Sequence, residues 1–228
     1  ANLISFSNEI GNLCSALGGV DVADVMRGVH MARYFNPATP DGQRLVAGIT
    51  SFLWAGCGYG GSCLPKDAKA LSAHGAAHGM PMPLLDAVIA TNLAQPRRML
   101  DLLHRHFPSL AGVRVALLGL AFKEDTDDMR ESPAIALSQL LLERGAQVLG
   151  YDPIARETAR AALPAQVQLV DSLAEAVSDA DALLLVTRWT QFRQLPALLA
   201  GMKTPPVLVD GRRVIEPSTV PRYEGIGA

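Results

Sequence analysis

The hydrophobic pattern of the chain changes near Gly112, and this change limits the possible folds more than any other feature. Before it, apolar residues recur every three or four positions, as on one face of a helix; after it, short apolar runs alternate with helical stretches. Alternating strands and helices form parallel sheets covered by helices on both faces. We therefore predict an α/β protein with an all-helical domain at residues 1–110 and a Rossmann-like three-layer α/β/α domain at residues 111–228, built on a parallel sheet of five or more strands.

The helical region begins with a helix whose apolar residues form one stripe. They recur at steps of three and four along the first seventeen positions: Leu3, Phe6, Ile10, Leu13 and Leu17. No other segment of the chain is an evident partner for this stripe, so we expect it to mediate a homodimer.

Three further helices are predicted in the same region. A short one begins near Asp21, a second runs over residues 65–77, and a longer third runs over residues 83–106. Pro96 lies inside the third helix and should kink or interrupt it, because proline lacks the N–H that a helix interior uses.

Five apolar runs in the second region are predicted to be strands. They lie at residues 113–122, 146–153, 167–170, 180–187 and 206–212. A helix at residues 132–145 separates the first two, with Ser132 as its cap, Pro133 in its first turn and Gly145 as its stop.

Composition argues against several classes of partner. The 228 residues are 49% hydrophobic and 18% charged, with a formal net charge of −2, as in an ordinary globular protein. This charge provides no attraction to nucleic acid or to an anionic membrane surface. No apolar run approaches the roughly 18 to 20 residues that span a bilayer.

The cysteines and the N-terminus bear on where and how the chain functions. Cys14, Cys57 and Cys63 have neither metal-ligand spacing nor the even number of a disulfide framework, so we expect no metal site and a reducing compartment, the cytoplasm. The first residues have no signal-peptide pattern. Because the chain starts without Met and inside a helical pattern, we expect a fragment with a functional segment upstream.

The first predicted strand lacks the glycine fingerprint of a dinucleotide site. Gly119 stands alone where G-x-G-x-x-G is needed, and Phe122 and Lys123 would block the approach of a pyrophosphate, so NAD binding in the usual mode is not expected here. Asp152 ends the second strand, where a ribose-binding acid often lies. Two interpretations of "KEDTDDMRE" remain open: Lys123 and Arg130 contact phosphate or ribose, or the loop is a solvated one with internal ion pairs.

The stretch "GCGYGGSCLPKD" at residues 56–67 resembles a phosphate loop only weakly, because no strand precedes it. Ser62 is a candidate cap and Pro65 suits a first helical turn, which places Cys63 at a helix N-terminus, where a thiolate is stabilised. Asp67 lies one turn further on the same face, suited to assist water after a covalent step. Cys63 is either such a nucleophile or a small buried structural cysteine.

The residues around this thiol have simpler interpretations. Gly60 and Gly61 leave room for a substrate to approach the backbone, and Lys66 adds a nearby cation. Cys57 has no partner acid and Cys14 lies near the buried side of a helix, so both are interpreted as structural.

The chain resembles the UDP-glucose and GDP-mannose dehydrogenase family, the nucleotide-sugar 6-dehydrogenases. The resemblance rests on "GYGGSCLPKD" and "LGLAFKEDTDDMRESPA", supported by "ISFSNEIGNLC", "PMPLLDAVIATNLAQP" and "VDGRRVIEP", and it extends over essentially the whole chain. It implies a three-part protein: an N-terminal NAD-binding domain, a helical dimerisation core and a C-terminal domain that binds the sugar nucleotide. This chain matches the second and third parts.

The resemblance also implies a reaction and roles for particular residues. Family members oxidise a sugar C6 alcohol to a carboxylate with two NAD, and Cys63 would form a thioester that Asp67 helps water to hydrolyse. Five residues would hold the UDP-sugar, with Phe52 near the base: Phe52, Tyr59, Gly60, Phe122 and Lys123. Arg212 would face the NAD cofactor from across the domain interface.

Some implications of the resemblance stay open. The family's catalytic lysine, asparagine and glutamate would precede this chain, so the fragment by itself is expected to be inactive. The family's inter-subunit arginine has no match at the usual spacing, and Arg44 is the candidate replacement. UDP-glucose is the simplest substrate; a UDP-N-acetylhexosamine, GDP-mannose, or a module that binds a nucleotide sugar without catalysis are the alternatives.

Overall fold

The computed structural model describes residues 1–228, with a helical region up to His104 and a sheet region from Arg114 onward. The helical region contains α1 (Asn2–Leu17), α2 (Val22–His30), α3 (Leu64–Ala77) and α4 (Pro83–His104). A short 3-10 helix, Gly48–Phe52, precedes the glycine loop. All four helices stand where the periodicity predicts them.

A local signal explains the start of α2, but the local signal of Pro96 does not determine the course of α4. Asp21 caps α2, because its side chain accepts a hydrogen bond from the Ala23 N–H at 2.7 Å. Helix α4 continues through Pro96 without a break, so the prediction of an interruption is wrong. The proline is buried, and the packing of its surroundings outweighs the one backbone hydrogen bond that it cannot donate.

The sheet region forms one parallel sheet of six strands in the order β3-β2-β1-β4-β5-β6. The strands are β1 (Arg114–Leu118), β2 (Gln147–Tyr151), β3 (Gln168–Leu169), β4 (Ala182–Leu185), β5 (Val207–Asp210) and β6 (Tyr223–Gly225). Four helices connect them: α5 (Pro133–Glu143), α6 (Arg156–Ala162), α7 (Leu173–Ser178) and α8 (Leu195–Ala200). The parallel α/β prediction is confirmed, and β6 is an additional strand without an apolar run to reveal it.

Both faces of the sheet are buried, as alternate residues of β1 demonstrate. Val115 and Leu117 point into a core that also contains α5 residues and Met99 of α4, whereas Ala116 and Leu118 point into a core with α7 and α8. The first core extends to Cys14 of α1, so the helical region and the sheet pack against one continuous apolar interior.

Three of the five residues in the apolar stripe of α1 are exposed, whereas Ile10 packs against this interior. Phe6, Leu13 and Leu17 are 50%, 53% and 67% exposed, whereas the residues of α1 that are buried are small or polar. A helix that turns small residues inward can approach its neighbours closely, and it leaves an apolar surface uncovered.

The strand order determines where a ligand can bind. Strands β1 and β4 are neighbours, but the chain leaves them toward opposite edges of the sheet. Open α/β sheets bind ligands at the carboxyl ends of such a pair, because diverging loops leave a crevice there.

No helix of the chain is both long enough and apolar enough to cross a bilayer.

The core assignment predicts the effect of shortening a leucine. Leu117→Ala removes a side chain with no exposed surface and should lower the free energy of unfolding by about 2–5 kcal/mol through lost transfer energy and a residual cavity. The same change at Leu71 of α3, which is 52% exposed, is the control and should alter it by no more than about 0.5 kcal/mol. Urea unfolding measures both, and equal losses would contradict the placement of Leu117.

Candidate active site

Cys63 lies at the start of α3 and is exposed, with a free thiol. It is itself the N-cap residue, and its carbonyl accepts the Asp67 N–H at 2.9 Å. The predicted capping role of Ser62 is wrong: no side chain caps this helix, and the Ser62 Oγ instead lies 3.7 Å from the Cys63 Sγ. The prediction of a thiol at a helix N-terminus is nevertheless correct, with Pro65 in the first turn.

Exposure distinguishes Cys63 from the other cysteines. Cys14 and Cys57 are buried, and burial raises the pKa of the Cys57 thiol. The Cys57 Sγ lies 3.5 Å from the Val186 carbonyl oxygen, inside the junction between helices and sheet. The alternative of a buried structural cysteine therefore describes Cys57 and does not describe Cys63.

Lys66 and Arg130 each donate a hydrogen bond to an acidic side chain. The pKa of Lys66 is raised, mainly by its hydrogen bond to Asp67 and further by the negative charge of a Cys63 thiolate. The pKa of Arg130 is raised mainly by its hydrogen bond to Asp128, with the same smaller contribution from Cys63. Both cations are therefore paired with a carboxylate and remain exposed to solvent.

Asp67 is exposed and forms an ion pair with its neighbour. Its Oδ1 lies 2.5 Å from the Lys66 Nζ, and no hydrogen bond joins its carboxylate to Cys63. The residue lies one helical turn after Cys63, as the spacing predicts, but its side chain bonds to Lys66.

The glycines of the loop make space for protein, not for ligand. A Cβ on Gly60 would lie 2.2 Å from the Glu131 carbonyl oxygen, and one on Gly61 would lie 2.8 Å from the Phe122 ring. The expected room for a substrate at these two glycines is therefore occupied by Phe122 and Glu131, which belong to the segment after β1. Gly61 also requires glycine for its left-handed φ of 90°.

Further bonds fasten this segment to the loop. The Gly61 N–H donates to the Arg130 carbonyl at 2.8 Å, and Lys69 of α3 forms an ion pair with Glu131. On the other side, the Cys57 N–H donates to the Gly211 carbonyl after β5 at 2.9 Å. The glycine loop is thus held between the ends of β1 and β5.

Three amide side chains that the sequence did not single out shape the loop from behind. Asn8 of α1 accepts the Gly56 N–H at 2.7 Å, and Gln95 of α4 donates to the Gly56 carbonyl at 2.8 Å. Asn92 of α4 both accepts the Tyr59 N–H and donates to the Tyr59 carbonyl. These amides satisfy loop backbone groups that have no strand or helix partner. In the sequence these residues look like ordinary polar positions on the surface of a helix, so only the contacts reveal their role.

A cavity of about 270 Å³ opens beside the loop, and most of the predicted ligand-binding residues line it. From the predicted substrate set it includes Phe52, Tyr59, Phe122 and Lys123, and from the predicted cofactor contact it includes Arg212. Gly60 does not line it, because that glycine faces Glu131 and Phe122. Cys63 and Asp67 also lie outside the lining, although Phe122 connects the cavity to Gly61, two residues before the thiol.

The turn after β5 aims Arg212 at this cavity. The buried Asp210 carboxylate accepts the N–H groups of Arg212, Val214 and Ile215, and burial raises its pKa despite these bonds. Arg213 has a left-handed φ of 52°, so the two arginine side chains diverge. The Arg212 Nε donates to the Val186 carbonyl at 2.6 Å.

Arg213 reaches the helical region instead. It forms an ion pair with Asp21, the N-cap residue of α2. Burial by itself raises the pKa of Asp21, but the hydrogen bonds from Arg213 and the Ala23 N–H outweigh it and lower the pKa. This pair ties α2 to the turn that carries Arg212.

The sheet's own crevice does not fit NAD. Asp152, at the ribose position after β2, accepts the N–H groups of Leu120 and Ala121 and the Trp189 Nε1–H. A dinucleotide would need those same backbone donors and that carboxylate, and Phe122 follows where its pyrophosphate would approach. The prediction that the usual mode is blocked agrees with this geometry.

The loop after β1 contains an internal ion pair, and one of its cations lines the cavity. Arg130 forms an internal ion pair with Asp128, whose pKa is lowered chiefly by that side-chain hydrogen bond, as expected for a solvated loop. Lys123, in contrast, lines the cavity. Arg44 is exposed, donates to the Asn36 carbonyl and does not line it.

Two family models match the chain. Residues 1–94 match the central domain of the UDP-glucose/GDP-mannose dehydrogenase family, and residues 116–217 match the UDP binding domain of the same family. The two matches together extend over most of the chain and divide it where the helices give way to the sheet.

Individual proteins agree with these matches. The chain is 42% identical over 215 residues to the UDP-glucose 6-dehydrogenase of Haloferax volcanii, covering 94% of the chain and 46% of that protein. It is 41% identical to the UDP-glucose 6-dehydrogenase of Pseudomonas aeruginosa, covering 100% and 49%. A solved UDP-glucose dehydrogenase of Pyrobaculum islandicum superposes with a TM-score of 0.84 at 35% identity, covering 99% and 48%. The chain thus spans about half the length of these relatives.

The close approach at Gly60 predicts opposite effects for one substitution at two glycines. Gly60→Ala places a methyl group against the Glu131 carbonyl and should lower the free energy of unfolding by about 1–3 kcal/mol through overpacking. Gly28→Ala in α2, where nothing lies within 4 Å, should raise it by up to about 1 kcal/mol through helix propensity.

Urea unfolding of the two variants beside wild type measures this difference. A Gly60→Ala protein as stable as wild type would mean that Glu131 and the loop are not in contact.

Proposed function

Because this chain belongs to the UDP-glucose/GDP-mannose dehydrogenase family, we propose that the whole protein is an NAD-dependent 6-dehydrogenase that oxidises UDP-glucose to UDP-glucuronate. The observation that carries this proposal is the exposed Cys63 thiol at the start of α3, beside a loop packed against the cavity residue Phe122. We propose that a nucleotide sugar in the cavity extends its sugar past Phe122 toward this thiol.

The cavity residues receive complementary roles. Phe52 and Tyr59 offer aromatic surface to the nucleotide, and Phe122 and Lys123 contact the sugar nucleotide from the sheet side. Gly60 contributes by letting Phe122 and Glu131 close over the loop. Arg212 shares the cavity with these four residues, so we assign it to the UDP-sugar in preference to the cofactor.

Cys63 provides the covalent step. Its thiolate adds to the C6 aldehyde carbon of the half-oxidised sugar, forming a C–S bond and a thiohemiacetal. This adduct would become a thioester by losing its hydroxyl proton and passing a hydride to the acceptor that bound NAD would supply. Water then attacks the thioester carbonyl, the C–S bond breaks, and the products are the carboxylate and the regenerated thiol.

The charged residues near Cys63 support these steps. Lys66 pairs with Asp67, and Arg130 pairs with Asp128. Asp67 accepts a proton from the attacking water, and for this its carboxylate must exchange Lys66 for the water. The ion pair is solvent-exposed, and such pairs are worth only about 0–1 kcal/mol, so that exchange is easy.

Members of this family use NAD, which supplies the hydride acceptor when it is bound. The residues of this chain do not form its dinucleotide site, because Asp152 and the N–H groups after β1 are bonded to each other. We propose that another part of the whole protein binds NAD and brings it to the cavity.

Three free cysteines agree with a reducing compartment such as the cytoplasm.

We also propose a homodimer, formed through the uncovered stripe of α1. Phe6, Leu13 and Leu17 remain exposed although the rest of the chain is packed around the helix. A second copy would bury these side chains against its own stripe.

The accessibility of Cys63 predicts selective alkylation. Iodoacetamide should add one group to the folded chain, at Cys63, because Cys14 and Cys57 are buried. Mass spectrometry locates the adduct, and Cys63→Ala should take up none. Rapid modification of Cys57 in the folded protein would contradict the assignment.

The catalytic role is tested in the full-length protein. Cys63→Ala should abolish formation of UDP-glucuronate, whereas Cys14→Ala, which removes a buried thiol, should retain it. Activity of Cys63→Ala at the wild-type rate would overturn the thioester mechanism, and a panel of UDP-N-acetylhexosamines and GDP-mannose would identify another sugar.

The dimer is tested by placing charge on the stripe. Phe6→Glu with Leu13→Glu should convert a dimer into a monomer, because two carboxylates per copy would be buried without partners. Leu71→Glu on the exposed side of α3 is the control and should leave the dimer intact. Light scattering gives the mass, and a wild-type monomer or an unchanged double variant would argue against this interface.

A further inference from the structure

Three cations follow three neighbouring strands of the sheet. Lys123 lies in the segment after β1, Arg188 in the segment after β4, and Arg212 in the turn after β5. Strands β1, β4 and β5 are adjacent in the sheet, so their carboxyl ends meet along one edge. All three side chains line the cavity of about 270 Å³.

These cations are not neutralised by the protein. None of them forms an ion pair with a carboxylate, although eleven other ion pairs are present. Glu124 is the one acidic residue in the cavity lining. Two acids lie at the same edge: Asp152 after β2 is bonded to backbone N–H groups and to Trp189, and Asp210 at the end of β5 accepts three backbone N–H groups. The cavity therefore has a surplus of positive charge.

Arg188 is coupled to Arg212 by geometry. Its Nη2 donates to the Arg212 carbonyl oxygen at 3.1 Å, which leaves its remaining N–H groups free for another acceptor. The Arg212 Nε is held by the Val186 carbonyl, two residues before Arg188. Two guanidinium groups are thus oriented by backbone oxygens and not by carboxylates, and a fork of N–H donors matches phosphate oxygens.

We propose that Arg188 binds the diphosphate of the nucleotide sugar, as the third cation beside Lys123 and Arg212. Three positive charges and one negative charge leave the cavity at +2, which complements the two negative charges of a diphosphate diester. The inference rests on the proposed nucleotide-sugar site and adds a residue to it that no motif of the sequence indicates.

Arg193 provides a matched control. It lies five positions further along the same segment, is exposed and forms no ion pair. It lines a neighbouring larger cavity of about 650 Å³, which Arg188 and Arg212 also line, but it does not line the smaller one. Neutralising it changes the net charge as neutralising Arg188 does, without removing a donor from the proposed diphosphate site.

The experiment compares UDP and uridine binding to the wild-type chain, Arg188→Gln and Arg193→Gln. Titration calorimetry should give a Kd for UDP raised about tenfold or more in Arg188→Gln, from the loss of a charge-assisted hydrogen bond, and little changed in Arg193→Gln. Uridine, followed by NMR, should bind wild type and Arg188→Gln equally. The affinity of Arg188→Gln for UDP should also depend less steeply on salt.

Each other outcome overturns the inference. An unchanged Kd for UDP in Arg188→Gln, or an equal loss in Arg193→Gln, would remove Arg188 from the diphosphate site. If Arg188→Gln weakened uridine binding as much as UDP binding, Arg188 would shape the nucleoside part of the site and would not bind the diphosphate. If wild type does not bind UDP, both the proposed nucleotide-sugar site and this inference are wrong. If wild type and Arg188→Gln bind UDP equally, only this inference is wrong and the proposed function is unaffected.

Discussion

The close approach of Phe122 and Glu131 to Gly60 and Gly61 is the contact on which the rest of the candidate site depends. The segment after β1 fills the space that a side chain would need at Gly60 and Gly61, and the Gly61 N–H donates to the Arg130 carbonyl. This contact joins the helical region to the sheet. It also places Phe122, which lines the cavity at the sheet edge, against Gly61, two residues before the thiol on α3.

The sheet has the topology of a dinucleotide-binding fold, but its crevice is used differently. Asp152 closes the N–H groups that a pyrophosphate would need, and Phe122 occupies the approach. The same edge then presents cations from three adjacent strands, Lys123, Arg188 and Arg212. This sheet edge therefore does not offer phosphate the free backbone N–H groups of a glycine-rich turn, and it offers positively charged side chains instead.

Periodicity predicted the elements well where burial follows the sequence locally. The four helices of the helical region and five strands stand where the apolar pattern indicates them. It did not reveal β6, a three-residue strand without an apolar run, and it did not separate Ile10 of α1, which packs on the core, from Phe6, Leu13 and Leu17, which are exposed. A pattern records which face of a helix is apolar, but what covers that face depends on distant segments or on another molecule.

For the site, the sequence by itself determined the chemistry: a thiol at a helix start, an acid one turn later, and a loop too bulky for a dinucleotide. These follow from neighbours along the chain, where backbone geometry sets the spacing. Only the tertiary structure decided that the glycines receive Phe122, that Asn8, Asn92 and Gln95 hold the loop, and that Arg188 joins the cavity. The physical reason is that these contacts connect residues tens of positions apart, so they exist only once the helices and the sheet have packed together.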